Sequence, residues 1–211
     1  EEIEHIEWRY TLKPSTINIS RFEDEQLEYL EIAVLQVDLN TQKRKGRIAQ
    51  LIQKTIPYPL IIVFICDDEM ALNVAEKRIN RADSNKIVVD AIHDTGTISL
   101  ERPTASQSAF LADFCISNFS YQNFYTFYQD VIARIIGLNC AVHSGHYSLE
   151  TQAGCSINDR VQALRQIEKL QQERIELCNK LKKEKNLGTQ VQLNTRVKSL
   201  RDRIEELRKG L

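Results

Sequence analysis

Residues 193–211 read LNTRVKSLRDRIEELRKGL, and their apolar side chains recur at alternating spacings of four and three. This heptad pattern predicts a coiled-coil seam. A weaker set with similar spacing precedes it, and the polar segment 182–190, which contains Gly188, separates the two sets. The simplest product is an antiparallel helical hairpin over residues 158–211. The seam residues are Ala163, Ile167, Leu170, Leu177 and Leu181, with Arg174 among them, and then Leu193, Val197, Leu200, Ile204, Leu207 and Leu211.

The chain before the hairpin carries both strand and helix signals. Ile6, Trp8, Tyr10 and Leu12 alternate with polar residues, which is the period of a half-buried strand. Further patterns predict strands at 27–39, 60–65, 70–78 and 86–93, helices at 41–56 and 121–136, and a loop at 103–107. The predicted fold class is therefore α+β, with a mixed sheet of about five strands and two packed helices, followed by the C-terminal antiparallel helical hairpin as a coiled coil.

Three regions follow from these patterns. Residues 1–137 form the predicted α+β globular domain, and residues 158–211 form the hairpin. Residues 138–157 are rich in Gly, Ser, Thr, His and Cys and show neither the helix nor the strand period. We therefore interpret them as a linker loop between the two domains.

Composition places the chain among soluble globular proteins. Of its 211 residues, 42% are hydrophobic and 27% are charged, which is ordinary for such a protein. The longest apolar run, Leu60 to Cys66, is far shorter than the roughly 20 residues that a membrane helix needs. The five cysteines are scattered and contain no Cys-x-x-Cys pair, as expected of reduced thiols. We expect a cytoplasmic protein that makes no membrane contact.

The small net charge of −1 conceals a division of charge. Residues 158–211 hold 14 Lys and Arg against 8 Asp and Glu, and the rest of the chain holds 14 against 21. A basic hairpin on an acidic body can meet nucleic acid, an acidic partner or its own body, and charge alone does not choose among them. The charges also suit an ordinary solvated coiled-coil face.

The segment from Cys140 to Cys155 holds the one metal-like pattern in the sequence. Cys140, His143, His146 and Cys155 offer two thiols and two imidazoles, which a tetrahedral zinc site would accept. Their spacing matches no standard zinc finger. We therefore expect no metal here and keep a zinc site as the alternative.

The sequence also contains no clear set of catalytic residues. A restriction-type nuclease needs two carboxylates beside a lysine, so that a divalent metal can be held. The nearest candidates are Asp67 and Asp68 at a predicted turn, then Glu76 and Lys77 in a predicted strand. Adjacent strand residues point to opposite faces, and no glycine-rich phosphate loop is present. We expect no catalytic residues and no cofactor, with a metal-dependent nuclease as the alternative.

A further group of basic residues surrounds one predicted strand end and the loop after it. With two more from the first strand, they could form a rim that contacts phosphates. Pairing with neighbouring acids such as Glu7, Glu76 and Asp83 is the other interpretation. The group comprises Arg9, Lys13, Lys77, Arg78, Arg81 and Lys86.

Three stretches of the chain are recognisable together: IEWRYTLKPSTINI at 6–19, IPYP at 56–59 and KEKNLGTQVQLN at 183–194. In combination they resemble a bacterial family named domain of unknown function 4391. The likeness covers nearly the whole chain, although a Pro-rich linker usual in the family is replaced here by the Cys and His segment. A Trp that often follows the strand ending here at His93 is also absent. The resemblance implies an accessory subunit, because members tend to be encoded beside helicases and DNA methyltransferases of restriction-like defence loci.

These observations favour a non-catalytic adaptor of a bacterial anti-phage defence or DNA restriction-modification complex. In this hypothesis the hairpin docks a helicase or DNA methyltransferase, and DNA is contacted directly or through the complex. A nuclease-like subunit and a homodimer formed through the hairpin are the competing hypotheses. The candidate partner-binding residues are Arg196, Lys198, Arg201, Arg203 and Arg208.

Overall fold

The structure is a computed structural model that describes residues 2–80, 83–150 and 156–211, except for the side chains of residues 84–86. The chain divides into two compact units, residues 1–138 and residues 139–211. The strands are β1 Ile3–Leu12, β2 Phe22–Glu23, β3 Glu28–Tyr29, β4 Ile32–Leu39, β5 Leu60–Cys66, β6 Glu69–Asn80, β7 Asp83–Asp94 and β8 Ile98–Ser99. The helices are α1 Pro14–Ile17, α2 Lys45–Thr55, α3 Ala105–Asp113, α4 Phe124–Ser144, α5 Ile157–Leu181 and α6 Leu187–Lys209.

Within the described residues of the first unit, six strands form one mixed sheet in the order β1-β4-β5-β6-β7, with β8 paired to β6. Strands β4 and β5 are parallel, and the other pairs are antiparallel. Strands β2 and β3 form a separate two-stranded ribbon. The parallel pair needs a crossover, which the 3₁₀ turn Gln42–Arg44 and helix α2 supply.

One face of the central strands forms a hydrophobic core with α2. Leu35 and Val37 of β4 are paired with Ile62 and Phe64 of β5, and all four cluster with Ile48 of α2. The central strands are apolar on both alternating sets because both of their faces are covered.

A second group of buried side chains centres on α4. Phe124 and Tyr128 are completely buried. The Tyr128 hydroxyl accepts a hydrogen bond from the Ala75 N–H at 3.0 Å and lies 3.0 Å from the carbonyl oxygen of Leu60. This hydroxyl therefore satisfies backbone groups of both β5 and β6 and fixes α4 to the sheet.

We expect Tyr128→Phe to lower the free energy of unfolding by about 1–3 kcal/mol, because the Ala75 N–H is left without a partner in the core. Tyr125→Phe on the same helix is the matched control, since Tyr125 is only half-buried and should change stability by less than about 0.5 kcal/mol. Urea denaturation followed by circular dichroism measures both values. Equal effects of the two substitutions would contradict the assigned role of Tyr128.

The second unit contains the two long helices α5 and α6, which pack against each other. Ser156 caps α5 through the Asp159 N–H, and Asn186 caps α6 through the Thr189 N–H. Ile167, Leu177 and Ile204 are buried, and the other heptad residues are partly buried. The structure confirms the predicted α+β class with a C-terminal helical region.

Two local predictions were wrong. The segment predicted as a linker begins as helix, because α4 continues through Cys140 and Ala141, both buried, and ends at Ser144. Gly145, with a φ of 81°, follows it in the left-handed conformation that commonly ends helices. The predicted loop at 103–107 instead contains the start of α3, where Thr104 and Gln107 form a reciprocal capping box.

Candidate docking groove on the helical hairpin

Helices α5 and α6 leave an open groove of about 570 Å³ near their connected ends. Arg174 stands at a seam position here, where a charged side chain cannot fill the space between the helices as a leucine would. Apolar groups of both helices line the groove together with four cations. The apolar contributors are Ile175, Cys178 and Val197, and the cations are Arg174, Lys182, Lys198 and Arg201.

No carboxylate joins these four cations in the lining, within the part of the chain that the structure describes. Arg201 is 3.8 Å from the carboxylate of its neighbour Asp202, and both side chains are well exposed. The excess positive charge of the hairpin falls within the span that contains both the groove residues and the turn between the helices. Residues 174–201 contain eight Lys and Arg against two Glu, and the remaining hairpin residues, 158–173 and 202–211, contain six against six.

The groove cations differ from the other arginines of α6. Arg196 binds Glu173 across the hairpin at 2.7 Å. Arg203 pairs with Glu206 at 2.7 Å, and Arg208 pairs with Glu205 at 3.6 Å. The structure thus places two of the five predicted partner-binding residues, Lys198 and Arg201, in the groove and pairs the other three with acids.

Two cations of the groove were absent from the predicted partner-binding set. The heptad pattern assigns Arg174 only to the seam, whereas the structure also places it in the lining of the groove with Ile175. Lys182 lies in a polar segment that the sequence pattern assigns to the turn. The structure shows it as the C-cap residue of α5, so the helix carries it to the groove. The helical periodicity of 174, 178 and 182 could have grouped these residues beforehand.

The candidate nuclease residues do not form one site. Asp67 and Asp68 lie in the turn between β5 and β6, whereas Glu76 lies seven positions beyond the first residue of β6, a strand length of about 23 Å. The Glu76 carboxylate is 3.1 Å from Nε2 of His93.

Lys77 has a structural environment instead of a catalytic one. Its side chain is 5% exposed, and its amine donates hydrogen bonds of 2.7 Å to the carbonyl oxygens of Ile56 and Tyr58. Burial lowers the pKa of Lys77 to about 8. The amine holds the chain segment that follows α2.

The predicted basic rim consists mainly of paired side chains. Arg9 binds Glu7 at 2.8 Å, Lys13 is 3.5 Å from Glu31, and Arg78 binds Asp90 at 2.7 Å. Arg81 and the side chain of Lys86 lie outside the described residues. These contacts match the interpretation of the rim as structural pairing with neighbouring acids.

The predicted metal pattern is only partly described. Cys140 and His143 lie in α4, His146 follows its end, and Cys155 lies outside the described residues. Burial lowers the pKa of His143, and the positive charge of Arg208 lowers it further. Across the described residues, no three or more His, Cys, Asp or Glu side chains are grouped so that they could hold a metal ion.

Among the described helices, none is both long and apolar enough to cross a membrane. The fold and the groove define an α+β protein whose six-stranded sheet is followed by a helical hairpin with a basic groove. The family model described as Domain of unknown function (DUF4391) matches residues 1–204. The chain therefore belongs to this family, which confirms the resemblance seen in the sequence. No curated protein and no solved structure matches the chain.

Proposed function

We propose that the chain is a non-catalytic adaptor subunit of a bacterial defence or restriction-modification complex and that its hairpin docks a larger helicase or DNA methyltransferase. One observation carries this proposal: apolar groups of both helices line a groove together with four cations, and of these only Arg201 has a carboxylate at ion-pair distance among the described residues. Unneutralised charge around exposed apolar surface is typical of an interaction site.

The geometry of the first unit supports the adaptor over the nuclease hypothesis. The Glu76 carboxylate contacts His93, and the Lys77 amine is committed to two backbone carbonyls. Asp67 lies in the turn before β6, about 23 Å of strand from Glu76, so these two carboxylates do not lie close enough to hold one metal ion.

Affinity purification of the tagged full chain from its native host tests the proposal. After nuclease treatment and a salt wash, we expect mass spectrometry to find a retained helicase or DNA methyltransferase. The double variant Lys198→Gln/Arg201→Gln should retain no more than about a tenth of it, because exposed cations at an interface contribute mainly through their charge.

The matched control is Arg165→Gln/Lys169→Gln, which removes the same charge from exposed α5 positions outside the groove. It should retain the partner like the unmodified chain. Equal retention by both double variants, or recovery of no helicase or methyltransferase with the unmodified chain, would refute the proposal.

A further inference from the structure

An apolar stripe continues from the groove along the hairpin toward its tip. Ile175 is 50% exposed, Val191 is 64% exposed and Leu187 is 77% exposed. Positions 187, 191, 194 and 198 follow helical spacing, so Leu187 and Val191 share the side of α6 that carries Asn194 and Lys198. The combined surface therefore joins exposed aliphatic groups of both helices next to the cations that line the groove.

From this surface we infer that the groove receives an acidic amphipathic α-helix of the partner, which would lie against α5 and α6 as a third helix. The inference rests on the proposed adaptor function and names the chemistry of the docked segment. The stretch from Arg174 to Lys182 measures about 12 Å along α5 at 1.5 Å per residue. It therefore accommodates about two turns, so a docked helix would present apolar side chains at i, i+3 or i+4, and i+7.

The positive charges of the groove determine which charge the docked segment of the partner must carry. The groove lining includes Arg174 and Lys182 from α5 and Lys198 and Arg201 from α6. Acidic residues beside the apolar stripe of the docked helix would therefore meet opposite charge from both helices. A second copy of the chain is a poor occupant, because pairing groove against groove would bring eight of these cations together.

The phosphates of nucleic acid would match the groove cations, but nucleic acid would not cover the apolar groups that line the groove. Phosphates and sugars cannot cover aliphatic groups such as Ile175 and Val197 as an apolar side chain does. Residues 156–211 also contain no Phe, Tyr or Trp, so the hairpin offers no aromatic platform on which single-stranded bases stack. The observations therefore favour a protein helix.

Two synthetic helices test the inference on the full chain. Both have about 21 residues, or three heptads, with Leu at positions a and d. One carries Glu at positions e and g, and the other carries Lys there. We expect the Glu helix to bind with one-to-one stoichiometry in fluorescence anisotropy and the Lys helix to bind at least roughly tenfold more weakly.

Cys178 reports occupancy of the groove directly. It lines the groove, whereas Cys115 is an exposed thiol of the first unit. The Glu helix should slow alkylation of Cys178 by iodoacetamide and leave alkylation of Cys115 unchanged, as measured by mass spectrometry. Ile175→Asp should abolish both binding and protection, while circular dichroism checks that this half-exposed substitution preserves the fold.

The contrary outcomes separate the two proposals. Equal binding of the Glu and Lys helices, absence of Cys178 protection, or tighter binding of a DNA duplex in place of the Glu helix would overturn the acidic-helix inference. If one of these outcomes occurs but the partner still co-purifies with the unmodified chain and not with Lys198→Gln/Arg201→Gln, the adaptor function stands. If the Glu helix binds and protects Cys178 but no partner co-purifies, the adaptor function fails and the chemistry of the groove stands.

Discussion

Replacing Ile204 by Asp is expected to unfold the helical hairpin. Ile204 is 3% exposed at a seam position, and an unpaired carboxylate buried there costs several kcal/mol. Long helices in proteins owe most of their stability to the packing of an apolar face, so α5 and α6 should lose helicity together. Far-UV circular dichroism should then show the loss of helical signal from up to the 25 residues of α5 and the 23 residues of α6.

The neighbouring substitution Arg203→Asp provides the control. The Arg203 side chain is 56% exposed, so aspartate there remains in water and should cost no more than about 1 kcal/mol. The two variants introduce the same residue at a buried and at an exposed position of one helix. Arg203→Asp also removes the exposed ion pair with Glu206, which contributes little to stability. An unchanged helical signal for Ile204→Asp would show that the heptad seam does not hold the hairpin together.

The contrast between these positions also explains what the sequence revealed about the hairpin. Burial follows the heptad, and a period of three and four residues is visible without any knowledge of neighbours. Leu193, Val197, Leu200 and Ile204 are consequently all less exposed than the residues between them. The seam of α6 could be predicted residue by residue because it depends only on spacing along one helix.

The groove depends on both helices and was harder to foresee. A cation on α6 looks the same in sequence whether it pairs with an acid of α5, as Arg196 does with Glu173, or borders an apolar groove, as Lys198 does. The difference lies in which α5 residue stands opposite, and this requires the packing register. Charge counts located the basic hairpin, but only the structure separates the cations that line the groove from those that lie outside it.

Local composition caused two errors elsewhere in the chain, namely the early end predicted for α4 and the loop predicted where α3 begins. The Gly, Ser, Thr, His and Cys content of residues 138–157 favoured a linker after the predicted helix, yet α4 continues past Gly137 and buried Leu138 to Ser144. Helix α3 is short and contains several Ser and Gln residues, so its apolar period is weak. Thr104 and Gln107 nevertheless carried the capping-box pattern that could have revealed its start.

Lys77 shows most clearly what the sequence could not predict, because its hydrogen-bond acceptors are backbone atoms. Ile56 and Tyr58 contact it through carbonyl oxygens about twenty positions earlier in the chain, and no side-chain pattern records such contacts. The sequence offered Lys77 only within the alternative nuclease set and as one member of a basic rim that could contact phosphates. The structure instead shows a buried amine whose hydrogen bonds fix the segment after α2, and this role has a measurable consequence for stability.

The pKa of Lys77 predicts how the stability of the protein depends on pH. Burial lowers this pKa from 10.5 to about 8, so between these values the unfolded chain retains a proton that the folded chain has released. The free energy of unfolding therefore rises with pH across this window, and the penalty for burying the ammonium is fully present below about pH 8. A shift of this size corresponds to about 3 kcal/mol.

Chemical denaturation of the unmodified chain and of Lys77→Met, from about pH 7 to about pH 10, isolates this contribution, because the other titrating groups are common to both proteins. The neutral amine still has two N–H groups, so it can keep both carbonyl bonds after it loses the proton. Methionine leaves the carbonyls of Ile56 and Tyr58 without that donor at every pH. We expect the unmodified chain to gain up to about 3 kcal/mol over the variant as pH rises through the window, and a constant or falling difference would show that Lys77 stays protonated in the folded protein.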